Sequence, residues 1–365
     1  MNFHKKNSSN KFSFQPINSG IIKHSQVCKA IAINNNNKFI LGSFEKIIKF
    51  FQFDGDQIKQ IKFLTMHKKI ITNLTICKQK PNYQSSSKDG SIQISSFLLS
   101  SSPKYLQRLQ EHKKEINCLI LHPRNENLFV SGCDDGAIIF WNCINNQWQK
   151  NQIINNYQGS YLGDIYGLSI NPEKNEIISC THRSQIIVMK QQNENKLDSF
   201  WKITQIIKDG FGYRIGFITS EIFVFQPRSS SKLLIYKLDQ NDNYQQIQDL
   251  QVQGGNQPCG LYFPIFYILQ KKFFLSKNGH CINIIIFNQQ VESKKIMKKI
   301  EQDQAIQENC FNFELAQTIE IKQAYWGEIY GVVSNDGKYL IIWSDSQRQI
   351  LISKYIENNI LSQNY

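Results

Sequence analysis

The sequence predicts an all-β fold, a seven-bladed β-propeller whose blades are four-stranded antiparallel sheets. The first observation is a repeat, because units with the same rhythm begin near residues 27, 71, 116, 165, 213, 259 and 329. The second is that each unit contains three short apolar runs separated by polar or glycine-containing turns, which is the pattern of short antiparallel strands. The third is a further candidate strand between successive units, which would give each sheet its fourth strand.

The best-defined unit covers residues 112–141. Its apolar runs lie at 116–121, 128–130 and 137–141, and a Cys-Asp-Asp-Gly turn separates the last two. The same order recurs one unit earlier, where His67 precedes its apolar run by the same number of residues as His112. A repeat of this length with three apolar runs predicts that each unit forms one sheet of a ring.

Weaker copies of this unit extend in both directions. The first three predicted strands of these units lie at 27–33, 39–41 and 47–51; 165–170, 177–179 and 186–189; 213–218, 222–225 and 233–236; 261–267, 273–275 and 282–287; and 329–333, 339–343 and 350–355. The predicted outer strands lie at 57–63, 105–109, 147–153, 200–206, 244–252 and 313–321. The last interval exceeds the period, which predicts an insertion at 290–310 within the sixth unit.

The seventh sheet lacks an outer strand of its own after residue 355. The alternating segment Phe12-Ser13-Phe14 belongs to no unit, and we expect it to complete the last sheet and close the ring. Closure pairs sheet edges that an open array would leave exposed. The alternative, a strand at 359–362, is more polar. We therefore expect a disordered tail at 1–9, one propeller at 10–356 and a C-terminal tail at 357–365.

Residues 112–142 resemble the WD40 repeat family of seven-bladed propellers. In that family a His, a Ser or Thr, an Asp and a Trp of one blade form a hydrogen-bonded tetrad, and this sequence has matching residues at His112, Ser131, Asp135 and Trp141. The second unit has matching residues at His67, Ser85 and Asp89, with Ser95 in the Trp position. The resemblance implies that these residues are structural, and that the protein is a platform for protein–protein contacts.

Composition restricts the function classes. The 41% of hydrophobic residues excludes wholesale disorder, and 42 Lys and Arg against 29 Asp and Glu give a net charge of +13 that favours acidic partners without naming one. Residues 1–9 lack a signal-peptide core, and the apolar runs are too short to span a bilayer. The nine cysteines include no C-x-x-C pair, which argues against a disulfide framework or a zinc site. We expect a cytoplasmic protein without membrane insertion, and these observations are also compatible with a nuclear location.

Catalytic motifs are missing from the sequence. It contains no G-x-x-x-x-G-K-[ST], G-x-G-x-x-G, H-E-x-x-H or G-x-S-x-G pattern. The Ser, His and Asp of the tetrad have a structural explanation, so they do not predict a catalytic triad. We expect no enzyme activity, no cofactor, no metal and no small-molecule substrate.

The loops that enter the first strands should meet at one mouth of the central channel. They carry aromatic and charged residues, and Tyr and Arg are common interface anchors. The predicted partner-binding residues are Tyr161, Asp164, Tyr213, Arg214, Tyr262, Trp326 and Glu328. The alternative is that these aromatic side chains pack one blade against the next.

Three functions remain open from sequence. The first is a non-enzymatic scaffold for other proteins in a multi-subunit complex. The second rests on similarity to the targeting subunit of cytosolic iron–sulfur cluster assembly, another free-standing propeller. The third is a protein that binds nucleic acid or an acidic surface, and a basic helix predicted at 293–306 would be its contact surface. Against nucleic acid, the basic residues are spread over the whole chain and do not alternate with aromatic residues.

Overall fold

Seven antiparallel sheets form a seven-bladed β-propeller in the computed structural model. The structure describes residues 2–5, 12–17, 22–98, 105–193, 199–255, 257, 259–291, 309–321 and 328–357. The one helical segment in these ranges is the 3-10 turn Leu269–Lys271, and no helix there is long and apolar enough to cross a membrane. The predicted fold class and the seven four-stranded blades are therefore confirmed.

Each blade runs from an inner strand at the channel to an outer strand at the rim. Blades one to three contain Cys28–Ile33, Phe39–Phe44, Ile47–Phe53 and Ile58–Thr65; Ile71–Ile76, Asn82–Ser87, Ile92–Ser96 and Gln107–Leu109; and Ile116–Leu121, Leu128–Cys133, Ile138–Ile144 and Gln147–Ile154. Blades four to six contain Ile165–Ile170, Glu176–Thr181, Gln185–Gln192 and Phe200–Lys208; Gly212–Phe217, Ile222–Pro227, Lys232–Leu238 and Tyr244–Gln251; and Phe266–Ile268, Phe273–Asn278, Cys281–Val291 and Asn309–Glu320. Blade seven contains Ile329–Val333, Tyr339–Ser344, Gln349–Glu357 and, from the N-terminal region, Phe12–Pro16.

The core lies between neighbouring blades. The second strands are buried on both faces, which explains their continuous apolar runs. Outer strands such as Tyr244–Gln251 are largely exposed and correspondingly polar. Between blades three and four, for example, Phe140 packs with Ile165, Ile177 and Trp201, so each blade covers the apolar face of the next.

The N-terminal strand closes the ring. Phe12–Pro16 pairs antiparallel with Gln349–Glu357, with Phe14 opposite Tyr355, as the sequence predicts. Phe14 is fully buried, and the Phe12 ring stacks on Phe273 of blade six at 5.4 Å. The N-terminal strand therefore joins the two ends of the described chain and also packs between blades six and seven.

Two local predictions differ from the structure, and two others fall outside the described residues. The inner strand of blade six is only Phe266–Ile268, not 261–267, because Tyr262 has a left-handed φ of 62° and Pro264 has no N–H for pairing. Residues Asn2–Lys5, expected in a disordered tail, pair as a strand with Asn309–Glu320. The helix predicted at 293–306 and the alternative strand at 359–362 lie outside the described residues.

A glutamine hydrogen-bonds across four of the blade junctions at the rim. The Gln152 side chain donates to the carbonyl oxygen of Trp201 at 2.7 Å and accepts from its N–H at 2.6 Å. Equivalent pairs are Gln107 with Trp148, Gln205 with Tyr244, and Gln317 with Phe14. The Gln317 pair shows that Phe12–Pro16 takes the same place as the other outer strands.

Candidate functional site

The four tetrad residues of blade three form one hydrogen-bonded chain. The indole Nε1 of Trp141 donates to Ser131 Oγ at 2.9 Å, and Ser131 Oγ lies 2.8 Å from His112 Nε2. The other ring nitrogen, Nδ1, lies 3.3 Å from Asp135 Oδ2. With a proton on Nδ1, every donor in this chain has an acceptor, from the indole N–H to the carboxylate.

Asp135 anchors the chain to the backbone. It also accepts from the N–H groups of Lys113 and Ala137. Burial acts to raise the pKa of Asp135, but the His112 ring and these N–H donors outweigh it and hold the pKa well below its usual range. The carboxylate therefore stays ionised and fixes the turn before the third strand.

Blade two reaches a similar arrangement without a tryptophan. His67 Nε2 lies 2.8 Å from Ser85 Oγ, and His67 Nδ1 lies 3.0 Å from Ser91 Oγ. Ser91 in turn donates to Asp89, so a serine bridges the histidine and the carboxylate. Burial opposes but does not overcome the hydrogen bonds that lower the Asp89 pKa. The sequence comparison could not identify Ser91, because the family pattern has no residue in that role.

Blades that lack the tetrad leave polar groups unpaired. In blade four the buried Ser179 Oγ has no hydrogen-bond partner in the described chain, and Met189 stands in the Trp position that would supply a donor. In blade seven the indole Nε1 of Trp343 likewise has no acceptor in the described chain, although the side chain is fully buried. Among the described residues, the histidine–serine hydrogen bonds of the tetrad are therefore found in blades two and three.

A possible metal cluster at the tetrad is better explained as structure. His112, Cys133 and Asp135 each have a ligand-type atom within 4.8 Å of the others. However, both His112 nitrogens have partners, and burial raises the pKa of the Cys133 thiol well above its usual range. A thiol that stays protonated and a histidine without a free nitrogen make a poor metal site.

Aromatic residues cluster at the mouth, which is the end of the channel where the inner strands begin. The rings of Tyr166, Phe211 and Tyr213 meet edge to face, with centroids 5.1 to 5.7 Å apart. The Arg228 guanidinium lies 5.6 Å from the ring centroids of Phe211 and Tyr213. The structure thus places Tyr213 in a cluster that joins blades four and five.

Tyr161 lies on a short hairpin over blade three. Asn156–Tyr157 pairs with Ser160–Tyr161, and the tyrosine hydroxyl donates to Asp164 at 3.2 Å. Its side chain is 40% exposed, and the Arg183 guanidinium lies 5.4 Å from the ring centroid. The hairpin ring and the neighbouring Arg183, which lies in the turn after Glu176–Thr181 of blade four, are therefore both exposed to solvent.

Carboxylates of blades three and four form an acidic arc at the mouth. Burial, reinforced by the charges of Asp164 and Glu115, raises the pKa of Asp134. Glu115 accepts from the Tyr262 hydroxyl and pairs with Lys88 at 2.7 Å. Burial and the Glu115 charge together raise the pKa of Tyr262, so its hydroxyl remains a donor.

The remaining predicted residues fall into two groups. Arg214 is only 2% exposed and points into a cluster with Cys259, so it is not a surface residue. Glu328 is half-buried, and its charge acts on Lys29, Lys277 and Tyr330. Trp326 lies outside the described residues. The mouth therefore brings together Tyr161 with Asp164, while Tyr213, Tyr262 and Arg214 make separate contacts between blades.

A cavity of about 320 Å³ lies along the inner strands of blades one, two, three and seven. Its wall is largely apolar, with Ile31, Leu119 and Val332 on the strands and Phe266 contributed by blade six. Tyr262 also lines it, which connects the cavity to the acidic arc.

The geometry defines the class of protein: a seven-bladed β-propeller that carries a WD40 repeat. A family model described as "WD domain, G-beta repeat" matches residues 103–142, the part of the chain that holds the complete tetrad. The expected resemblance is therefore confirmed, both by this match and by the ring of blades.

A curated protein similar to part of this chain is human dynein axonemal intermediate chain 4. The two are 23% identical over 122 residues, which cover 33% of this chain and 13% of the human protein. The chain thus matches only a small part of the length of that relative. WD40 propellers in general are interaction scaffolds, and nothing in the described residues shows catalysis.

Proposed function

We propose that this propeller is a non-enzymatic scaffold that binds other proteins, and that a partner contacts the channel mouth. The observation that carries the proposal is the exposed pair of Tyr161 and Arg183 beside the half-buried Asp164. Tyr and Arg are over-represented among residues that dominate binding energy, especially next to groups that exclude water. The aromatic cluster behind them supplies a rigid support.

The relative supports a role within an assembly. By its name the human protein is an intermediate chain of an axonemal dynein. We propose that this chain similarly contacts several proteins of one complex. A rigid ring suits this task, because partners can bind different blades without competing.

The charge at the mouth argues against nucleic acid as its ligand. Asp134 and Asp164 lie close together there and disfavour a phosphate backbone, although the chain as a whole has a net charge of +13. The iron–sulfur alternative uses the same fold, and it would be distinguished by cluster-assembly proteins among the partners.

A matched pair of variants tests the mouth. Tyr161→Ala with Arg183→Ala removes the exposed ring and cation, whereas Phe200→Ala removes a similarly exposed ring, 44% against 40%, from the rim of blade four. We expect the first variant to lose its co-purifying proteins in quantitative affinity purification and the second to keep them. Circular dichroism should show both variants folded.

The opposite pattern would refute the proposed site. If the mouth variant keeps every partner and Phe200→Ala loses them, the partner binds the blade edge. If RNA rather than protein is released by nuclease treatment of the purified material, the scaffold function itself is wrong.

A further inference from the structure

Two cations and one cysteine are buried together between blades five and six. Arg214 lies on Gly212–Phe217, Lys277 on Phe273–Asn278, and Cys259 in the loop between these blades. Their exposed fractions are 2%, 0% and 6%. Lysine and arginine are rarely buried to this extent without a paired anion.

The group that both cations contact is the cysteine sulfur. Cys259 Sγ lies 3.0 Å from Arg214 Nη1, 3.2 Å from the N–H of Gly279 and 3.4 Å from Lys277 Nζ. Among the described residues, no carboxylate lies within salt-bridge distance of either cation. Three donors directed at one sulfur atom favour a thiolate, because a neutral thiol is only a weak acceptor.

The electrostatic balance agrees with this geometry. Burial acts to raise the pKa of Cys259, but the charges of Arg214 and Lys277 outweigh it and lower the pKa to about 7. Burial lowers the pKa of Lys277 to about 8. Other titratable groups that face the cluster are Tyr213 and Glu328, together with Cys180 beside Arg214.

The cluster has more donors than the sulfur can satisfy. Arg214 Nε is buried and has no acceptor among the described residues. The Lys277 ammonium carries three N–H groups, and its contacts to Cys259 Sγ and Gly260 O are long, at 3.4 and 3.5 Å. Buried donors without acceptors are costly, so the site would gain from an added oxygen on the sulfur.

We propose that Cys259 is a site of oxidation by hydrogen peroxide, and that Arg214 and Lys277 hold the resulting sulfenic acid. The sulfur electron pair attacks one peroxide oxygen, so that an S–O bond forms and the O–O bond breaks. The leaving hydroxide takes a proton from the Lys277 ammonium and departs as water, and solvent then returns a proton to the lysine. The sulfur is oxidised by two electrons and the peroxide is reduced by two.

Two other cysteines with a similar exposed fraction, each of which lines a surface cavity, provide internal controls. Cys77 and Cys281 are each 5% exposed, against 6% for Cys259. Burial raises the pKa of both thiols to about 11. At pH 7.4 these pKa values make the thiolate fraction of Cys259 roughly three thousand-fold larger than that of Cys77 or Cys281. A thiolate of lower pKa is intrinsically less nucleophilic, which reduces the expected rate advantage of Cys259 to the order of fifty-fold.

The experiment treats the full chain with hydrogen peroxide in the presence of a 1,3-dione that traps sulfenic acid, and maps the labelled peptides by mass spectrometry. We expect Cys259 to be labelled tens of times faster than Cys77 and Cys281. Its rate should fall about tenfold from pH 8 to pH 6, because the thiolate fraction falls by that factor about a pKa near 7. Equal labelling of the three cysteines, or a rate independent of pH, would overturn the proposal.

A lysine variant separates the role of the cation from general access. Lys277→Met should slow the labelling of Cys259 several-fold and move its pH midpoint upward by about one unit, whereas Lys202→Met, at an exposed site on blade four, should change neither. If Lys277→Met does not fold, the pH midpoint for ionisation of Cys259 can be measured directly. It is obtained from the thiolate absorbance of the wild-type protein after the absorbance of the Cys259→Ser variant is subtracted. A midpoint near 9, or a midpoint near 7 without peroxide labelling, rejects the proposed oxidation site.

Discussion

Replacing Trp141 by phenylalanine tests whether the hydrogen-bonded chain stabilises blade three. The protein offers a matched control in Trp343. This side chain is 0% exposed and that of Trp141 is 2% exposed, but Trp343 Nε1 has no acceptor in the described residues. Both Trp→Phe changes remove similar ring volume and leave similar cavities. The difference between the two variants therefore isolates the hydrogen bond of Trp141 to Ser131.

The size of the difference follows from the two environments. Trp141→Phe loses a hydrogen bond with a net value of about 1 kcal/mol, whereas Trp343→Phe removes an unpaired buried donor whose desolvation costs about 1–3 kcal/mol. The cavity contributions largely cancel. We expect Trp141→Phe to lower the free energy of unfolding by about 2–4 kcal/mol more than Trp343→Phe does.

Urea unfolding followed by far-ultraviolet circular dichroism measures this difference without relying on tryptophan fluorescence. Ser131→Ala, alone and combined with Trp141→Phe, completes a double-mutant cycle, for which we expect a coupling energy of about 1 kcal/mol. Equal destabilisation by the two Trp→Phe changes, together with zero coupling to Ser131, would show that the indole N–H contributes nothing and that the reasoning is wrong.

Two further predictions concern the rim and the mouth. Gln152→Met removes both hydrogen bonds to the Trp201 backbone and should lower the free energy of unfolding by about 1–3 kcal/mol in the same urea assay. The control Gln149→Met, at an exposed position, should change it by less than about 0.5 kcal/mol. Equal effects of the two variants would show that the glutamine contact contributes nothing. Gly136→Ala places a Cβ 2.1 Å from the Tyr161 ring, whereas Gly159→Ala, with a similar φ of 78° against 75°, meets nothing within 4 Å. We expect thermal unfolding to show a clearly larger loss of stability for Gly136→Ala, and similar losses would mean that the hairpin does not pack as described.

The repeat predicts the ring because apolar runs of the right length must find cover on a neighbouring sheet. Phe12-Ser13-Phe14 identifies the closing strand for the same reason, since two phenylalanines in an otherwise polar region need a place to be buried. Period and burial thus determine the architecture from sequence. They do not determine where an inner strand starts, as the loop before Phe266 shows.

The contacts between blades are less visible in the sequence. In the sequence Gln152 is one more polar residue of an outer strand, and only the structure places it against the Trp201 backbone. Arg214 was expected at the surface, because a charged residue beside a tyrosine suggests an interface anchor, yet it is buried against Cys259. Such pairings join residues about 45 positions apart, and one sequence contains no signal that couples them.

Closure by Phe12–Pro16 also dictates an order of assembly. During synthesis this segment leaves the ribosome well before its partner strand Gln349–Glu357, which is made more than 300 residues later. Until then Phe12 and Phe14 have no sheet to cover them, and the nascent blades remain an open arc with two free edges. Completion of the wheel is thus a late, single event, and any factor that shields those two rings while translation proceeds would govern the yield of folded protein.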